Sequence, residues 1–173
     1  MNTYNYQSMP VNGEIQNYVQ RELTAQATAK AAECRSLLAR MRTERSICFS
    51  LHTALELYAI ERPRQCTLSV SDFYVTIRDG TQRSTVKNVS YRTWNQPFLT
   101  YTFPNGLVCM HPLDLWIQYA RYLNLDEMVI LGEAIIRRFR YSIDHFRNRL
   151  ENFTHTVGRT RCEQALSLIQ TSD

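Results

Sequence analysis

Apolar positions change period twice along the chain, which divides it into three stretches. From Gly13 to Arg45 they recur at three- and four-residue steps, through Ile15, Val19, Leu23, Ala27, Ala31, Cys34, Leu38 and Met41, with no Gly or Pro after the start. This period predicts one long amphipathic helix, broken at most once near its middle. An alanine-rich stripe permits close approach but buries little area per residue, which places the helix across a domain rather than at its centre. Leu51, Leu55 and Tyr58 keep the helical spacing in a second helix, Phe49 to Ile60, ended by Pro63.

From Cys66 the period shortens towards two. Leu68, Val70, Phe73, Val75 and Ile77 lie in short alternating stretches, and Asp79-Gly80 is a dipeptide suited to a tight hairpin turn, where both central residues need positive φ. It predicts a hairpin into a strand through Val86, Val89 and Tyr91. A second hairpin is signalled more strongly. Thr100 and Thr102 alternate with Leu99, Tyr101 and Phe103, then Asn105-Gly106 turns the chain into Leu107 to Met110. The middle of the chain reads as a small, mainly antiparallel sheet built from hairpins.

Beyond Met110 the helical period returns. Pro112 suits a first helical position, and Leu113, Trp116, Ile117, Ala120 and Leu123 form an apolar face opposite Asp114, Gln118 and Arg121. Asn124 with Glu127 reads as a capping box opening Leu125 to Arg138. That segment is apolar on nearly all sides (Met128, Val129, Ile130, Leu131, Ala134, Ile135, Ile136), which predicts the buried helix, with Gly132 admitting a close neighbour. Helices Ser142 to Phe153 and Val157 to Ile169 complete the chain. The expected fold class is α+β: one domain over 13–173 with C-terminal helices packed on one sheet face, preceded by a flexible N-terminus over 1–12.

Composition narrows the class. The chain has 173 residues, 44% hydrophobic and 21% charged, enough for a core without staples, which excludes fibrous, collagen-like and mainly disordered proteins. Met1 to Asn12 lacks the basic start and apolar run of a signal peptide, and no window of about eighteen apolar residues occurs, so a soluble, cytoplasmic protein without membrane contact is expected. The five scattered cysteines are then reduced thiols, mostly small core residues. Twenty Lys and Arg against sixteen Asp and Glu give +4, and Lys30 and Lys87 are the only lysines. Arginine's planar fork suits phosphate and carboxylate partners, while a GC-rich genome produces the same bias and is the first explanation.

Catalytic patterns are sparse. The five glycines are too dispersed for a phosphate loop. The residues two before Lys30 and Lys87 are Thr28 and Thr85, where a restriction-type nuclease needs a carboxylate. His52, His111, His145 and His155 show no paired zinc spacing, and Cys109 with His111 alone does not make a site. Glu133, in the helix expected to be buried, is assigned a structural partner such as Arg121 or Arg92 rather than an acid–base role. No catalytic residue, metal ligand or cofactor is assigned.

One cluster has partner content. Arg137, Arg138, Arg140, Arg147, Arg149, Arg159 and Arg161 face only Asp144, Glu151 and Glu163, with Tyr141, Phe146, Phe153 and His155 interleaved. The pattern suits a face for nucleic acid or for an acidic protein, and a solvated helix surface with inward aromatics is the first explanation. A second group, Arg35, Arg40, Arg42 and Arg45, lies on the first helix.

Several segments together carry a family resemblance. Ser50-Leu51-His52-Thr53-Ala54-Leu55 with Leu57-Tyr58-Ala59-Ile60, the turn Asn105-Gly106-Leu107-Val108-Cys109-Met110-His111-Pro112, Leu115-Trp116-Ile117-Gln118-Tyr119-Ala120 and Leu125 to Ala134 resemble the AbiEi family of abortive-infection antitoxins. The likeness is to the actinobacterial branch that precedes a very-short-patch-repair-like nuclease domain, and it runs from about Ile47 to the C-terminus. The chain departs from the family at Ser50-Leu51, where Ser-His is usual, and at Gln118 and Glu133, where aspartates are usual. The resemblance implies the middle module of such a protein, without its promoter-binding winged helix or its nuclease.

Two functions of different class follow. The first is a non-enzymatic, antitoxin-like regulatory module that recognises a cognate toxin, another protein or nucleic acid, weakly and salt-dependently, through the arginine faces. The second is a divergent nuclease-family protein acting on DNA or RNA through Glu133, Asp114 and His111. A third, a mobile-element inhibitor of a host nucleic-acid enzyme, rests only on the small size and on the domains that the resemblance implies are missing.

Overall fold

The computed structural model describes residues 10–41, 47–69, 71–78, 86–153 and 156–170, with side chains of the first helix from Gln16 onward. In chain order the elements are α1 (Pro10–Met41), β1 (Cys48–Phe49), α2 (Leu51–Leu57), β2 (Phe73–Ile77), β3 (Val89–Thr93), β4 (Thr100–Thr102), β5 (Val108–Met110), α3 (Pro112–Tyr119), α4 (Leu125–Phe139), α5 (Ile143–Glu151) and α6 (Arg159–Leu168). The fold class is α+β, as the alternation of periods predicts.

The 32-residue α1 is unbroken, about 48 Å long at the usual rise, and takes in Pro10 to Asn12, so the expected flexible N-terminus does not extend to residue 12. Residues 1–9 lie outside the described part. Only its second half docks. Ala27, Ala31, Cys34 and Leu37 are buried, whereas Val19 of the predicted stripe is exposed and residues 16–26 include no buried position. Lys30 fastens the docked half: its ammonium donates to Asp72 C=O at 2.5 Å, lies 3.4 Å from both Glu33 and Glu56 carboxylates, and sits 4.5 Å from the Phe73 ring centre.

The sheet has strand order β3-β2-β1-β5-β4 and is mixed, with β1–β2 and β4–β5 antiparallel and β1–β5 and β2–β3 parallel. Its central strand is the two-residue β1, where Phe49 was expected to begin a helix. Two residues carry no readable alternation, and Phe49, fully buried, gains its strand conformation from neighbours on both sides. Leu51 then adopts φ +50°, unusual for a branched side chain, and turns the chain from β1 into the shorter α2. Asp79-Gly80 lies outside the described residues, but the hairpin expected from it is corrected: Phe73 pairs with Val89 and Ile77 with Thr93 in parallel register. The second hairpin forms as read, with Thr102 opposite Val108, Gly106 at φ +87° and the Asn105 carboxamide accepting from Leu107 N–H.

The buried helix is α3, not α4. All eight residues of α3 are buried, Asp114 and Gln118 included, while Ile130 of α4 is 56% exposed. An apolar surface on nearly all sides identified α4 from composition alone; α4 instead buries Met128, Leu131 and Ile135 and packs on α6 and α3, leaving Ile130 exposed. Half of its predicted capping box is made. Asn124 accepts from Glu127 N–H at 2.9 Å, but the Glu127 carboxylate accepts from Gln65 N–H instead of closing the box. The reciprocal box occurs at α5, between Ser142 and His145. Gly132 does admit close neighbours, the side chains of Ile169 and Trp116.

Gly158 opens α6 at φ +84°, and a Cβ placed there would sit 2.9 Å from the Ala120 carbonyl oxygen. Gly106 has the same backbone sign but open space around it. Gly158→Ala is therefore expected to cost about 3 kcal/mol and Gly106→Ala about 1 kcal/mol, from left-handed strain with and without displacement of a neighbouring backbone. Denaturant unfolding of the two variants checks this; equal losses would contradict it.

Candidate partner-binding surface

The seven clustered arginines divide by where their guanidinium groups go. Arg149 enters the interior and grips the fully buried Asp114 with two 2.8 Å bonds. Arg159 donates to Leu150 C=O at 2.6 Å and Phe153 C=O at 3.1 Å, beyond the last turn of α5, and also meets Glu163. Arg161 donates to Ala120 C=O and Leu123 C=O at the end of α3, and Arg138 Nε donates to Tyr58 C=O at the end of α2. Helix C-termini leave orphan carbonyls, so these three arginines complete helices to which they do not belong. Arg137, Arg140 and Arg147 are exposed, Arg147 lying 3.5 Å from Asp144. The interleaved aromatics Phe146 and Phe153 are core residues, and His155 lies outside the described part.

The carboxylates and histidine of the nuclease alternative have structural partners of their own. Asp114 takes Arg149 and, through Oδ2, Leu99 N–H at 2.6 Å. Glu133 is half-buried and accepts from Gln170 N–H at 3.3 Å, where Arg121 or Arg92 was expected. Arg92 instead lies over the rings of Tyr74 and Tyr122. His111 caps α3, its Nδ1 accepting from Leu113 N–H, so that Nε2 carries the proton and donates to the Tyr141 hydroxyl at 3.2 Å. Among the described residues no three His, Cys, Asp or Glu side chains gather as a metal site would require.

Concave and aromatic surface occurs elsewhere, in a cleft of about 480 Å³ between α1, the end of α2, the β4–β5 turn and the end of α4. Tyr58, Tyr101, Phe103, Phe139 and Tyr141 wall it, and the small residues Ala27, Ala31 and Ala59 line it beside them. The rings touch in sequence: Tyr58 lies 5.3 Å from both Phe103 and Phe139, Tyr101 5.1 Å from Phe103, and Phe139 5.9 Å from Tyr141. Tyr58 is anchored by its hydroxyl, which donates to Met110 C=O at 2.7 Å. Arg138 lines the cleft, and among the described residues no carboxylate does. Ala59 stands at φ +58°, a conformation rare without glycine. Of these residues Arg138 and Tyr141 belong to the arginine-rich pattern read from the sequence; the cleft joins segments far apart in the chain, so spacing carries no sign of the rest.

Two histidines are held neutral. Burial, reinforced by the Arg62 charge, pulls His52 from 6.5 down to about 4, with Nδ1 2.6 Å from the buried Tyr119 hydroxyl. Burial also lowers His111, against the opposing pull of Asp114. Burial raises the Tyr119 hydroxyl well above its ordinary range and pushes the Cys34, Cys48 and Cys162 thiols up to about 12. These three thiols are therefore poor nucleophiles at neutral pH. No described helix is long and apolar enough to cross a membrane.

Comparison with known proteins finds no matching family model, no matching curated protein and no matching solved structure.

Removing Arg149 leaves Asp114 charged and buried without its partner. Arg149→Ala is expected to cost about 3–5 kcal/mol, and Arg147→Ala less than about 1 kcal/mol, because its ion pair is solvated. Paired urea titrations distinguish them. The histidines set a pH dependence. A folded pKa below the unfolded one means that the unfolded chain binds more protons, so stability rises with pH between about 4 and 6.5 for His52 and is level above. The melting temperature is expected to fall as pH drops through that window, with a shallower slope in His52→Gln. A wild-type profile flat across it would refute the assignment.

Proposed function

We propose that the chain is a non-enzymatic binding and regulatory module that holds a partner protein, the role implied by its resemblance to AbiEi-type antitoxins. The observation that carries this reading is the aromatic cleft, in which five rings surround solvent-accessible space beside the arginine-rich end of α4. Tyrosine, other large aromatics and arginine are the side chains that dominate protein-binding hot spots, because they bury large area at low entropic cost and keep a polar end to satisfy. The internal engagement of Arg149, Arg159 and Arg161 supports a protein over nucleic acid as the partner, since it leaves a short patch rather than a continuous basic stripe. The structural partners of Asp114, Glu133 and His111 support binding over hydrolysis.

Tagged wild-type chain, cross-linked in its source cell, is expected to enrich a protein that Tyr101→Ala and Phe139→Ala recover at least about tenfold less well and Arg147→Ala recovers equally. The product of a neighbouring toxin gene is the expected species. Equal recovery by the cleft variants, or tight salt-dependent binding of nucleic acid with no protein partner, would overturn the reading.

A further inference from the structure

The cleft shares a residue with an exposed sheet edge. In the order β3-β2-β1-β5-β4 the outer strands are β3 and β4, and they differ in how they are protected. Strand β3 carries Arg92 and is mostly half-covered, whereas Thr100, Tyr101 and Thr102 of β4 are all exposed. No Asp, Glu, Lys or Arg occurs between Arg92 and Asp114, although the chain is 21% charged. Sheet edges are ordinarily blunted by charges, prolines, bulges or a covering element, because unpaired N–H and C=O groups accept foreign strands. On β4 the prolines stand outside the strand, at Pro97 and Pro104, and leave its own N–H groups intact.

The ladder shows which groups are unused by β5. Leu99 C=O accepts from His111 N–H at 2.9 Å and Phe103 N–H donates to Leu107 C=O at 2.8 Å, with Tyr101 opposite Cys109. In an antiparallel pair successive residues turn these groups alternately inward and outward, so Thr100 and Thr102 direct theirs away from β5. Leu99, just before the strand, and Tyr101 within it are 46% and 45% exposed, and the Tyr101 ring belongs to the cleft wall, 6.1 Å from Tyr58. A hydrogen-bonding edge thus runs directly into an aromatic pocket.

We propose that β4 receives an extended peptide segment of a partner protein, which adds to the sheet as a sixth strand and lays an apolar or aromatic side chain into the cleft. This rests on the proposed binding role of the cleft. The main chain of the segment bonds to Thr100 and Thr102, and alternate side chains reach Tyr101, Phe103 and Phe139. Its charge is zero or negative, because Arg140 is exposed beyond Phe139 at the cleft margin and, among the described residues, no carboxylate lines the pocket. A second copy of this chain fits less well: symmetric pairing of β4 would bring the positively charged cleft margins of both copies together.

A phage-displayed random heptapeptide library selected on the immobilised chain, followed by fluorescence anisotropy with the enriched peptide, tests the proposal. The expected sequence alternates apolar and polar residues and carries an acidic flank. Thr102→Pro removes an outward N–H that the β5 ladder does not use, and is expected to weaken binding at least about tenfold, while Thr102→Val leaves it unchanged. In the wild-type chain, the Thr100 and Thr102 amides are expected to gain hydrogen-exchange protection when the peptide is added. Peptide binding lost in Tyr101→Ala but unchanged in Thr102→Pro, without new amide protection, would overturn strand addition and leave the cleft reading standing. Binding unaffected by either change, or no enriched peptide, would overturn both. Concentration-dependent dimers that protect the same amides without peptide would assign the edge to self-pairing and overturn the proposal.

Discussion

The buried carboxylate of Asp114 organises the region around it. It lies on α3, a helix buried along its whole length, and a charge there persists only if its oxygens are fully engaged. Arg149 supplies a bidentate grip from α5, and Leu99 N–H supplies a third bond from the segment that leads into β4. One carboxylate thereby fixes three elements relative to one another. Other side chains of α3 also tie it to its neighbours: Trp116 donates to Met128 C=O on α4, Gln118 Nε2 donates to Thr76 on β2, and Thr76 passes the chain of bonds to Ser50 at the head of α2, while Gln118 Oε1 has no partner among the described residues. A buried helix with polar side chains needs a partner in each direction, and those partners are the neighbouring elements of the fold.

The arginine excess acquires a physical meaning from the same constraint. A helix end packed inside a protein leaves carbonyls that water cannot reach, and a guanidinium can bridge two of them while its stem covers apolar surface. Arg138, Arg159 and Arg161 donate to carbonyls at or just beyond the ends of α2, α5 and α3. A lysine would offer a single point of donation without the planar fork. Much of the basic cluster is therefore part of how the short helices α2, α3 and α5 are held against their neighbours.

The surface proposed for recognition is of a different kind. The strand–turn–strand unit of β4 and β5 is uncharged and aromatic, and the ends of α2 and α4 bring further rings to it. Its rigidity comes from the interior: Leu99 is tied to Asp114, Tyr58 to the Met110 carbonyl, and Tyr141 to the His111 cap. The stability of the core and the shape of the cleft thus share residues, so changes to one are transmitted to the other.

Local pattern was sufficient for the α+β class, the long first helix, the Asn105-Gly106 hairpin and the Pro112 start of α3, because each depends on turn chemistry or on periodicity within a few residues. It was insufficient wherever identity depended on neighbours distant in sequence. Cys48-Phe49 becomes the central strand because β2 and β5 flank it, and β3 turns parallel despite a dipeptide suited to a hairpin. Burial passed from α4, apolar on nearly all sides of its middle turns, to α3, whose polar groups find partners only in three dimensions. Among the clustered arginines, spacing gave the group but not the direction of any guanidinium. The sequence by itself determined the α+β class, most of the helices and the Asn105-Gly106 hairpin, with the chemistry they carry. Tertiary structure decided which of that chemistry faces inward, because desolvation forces buried polar groups to pair before any remain for a partner.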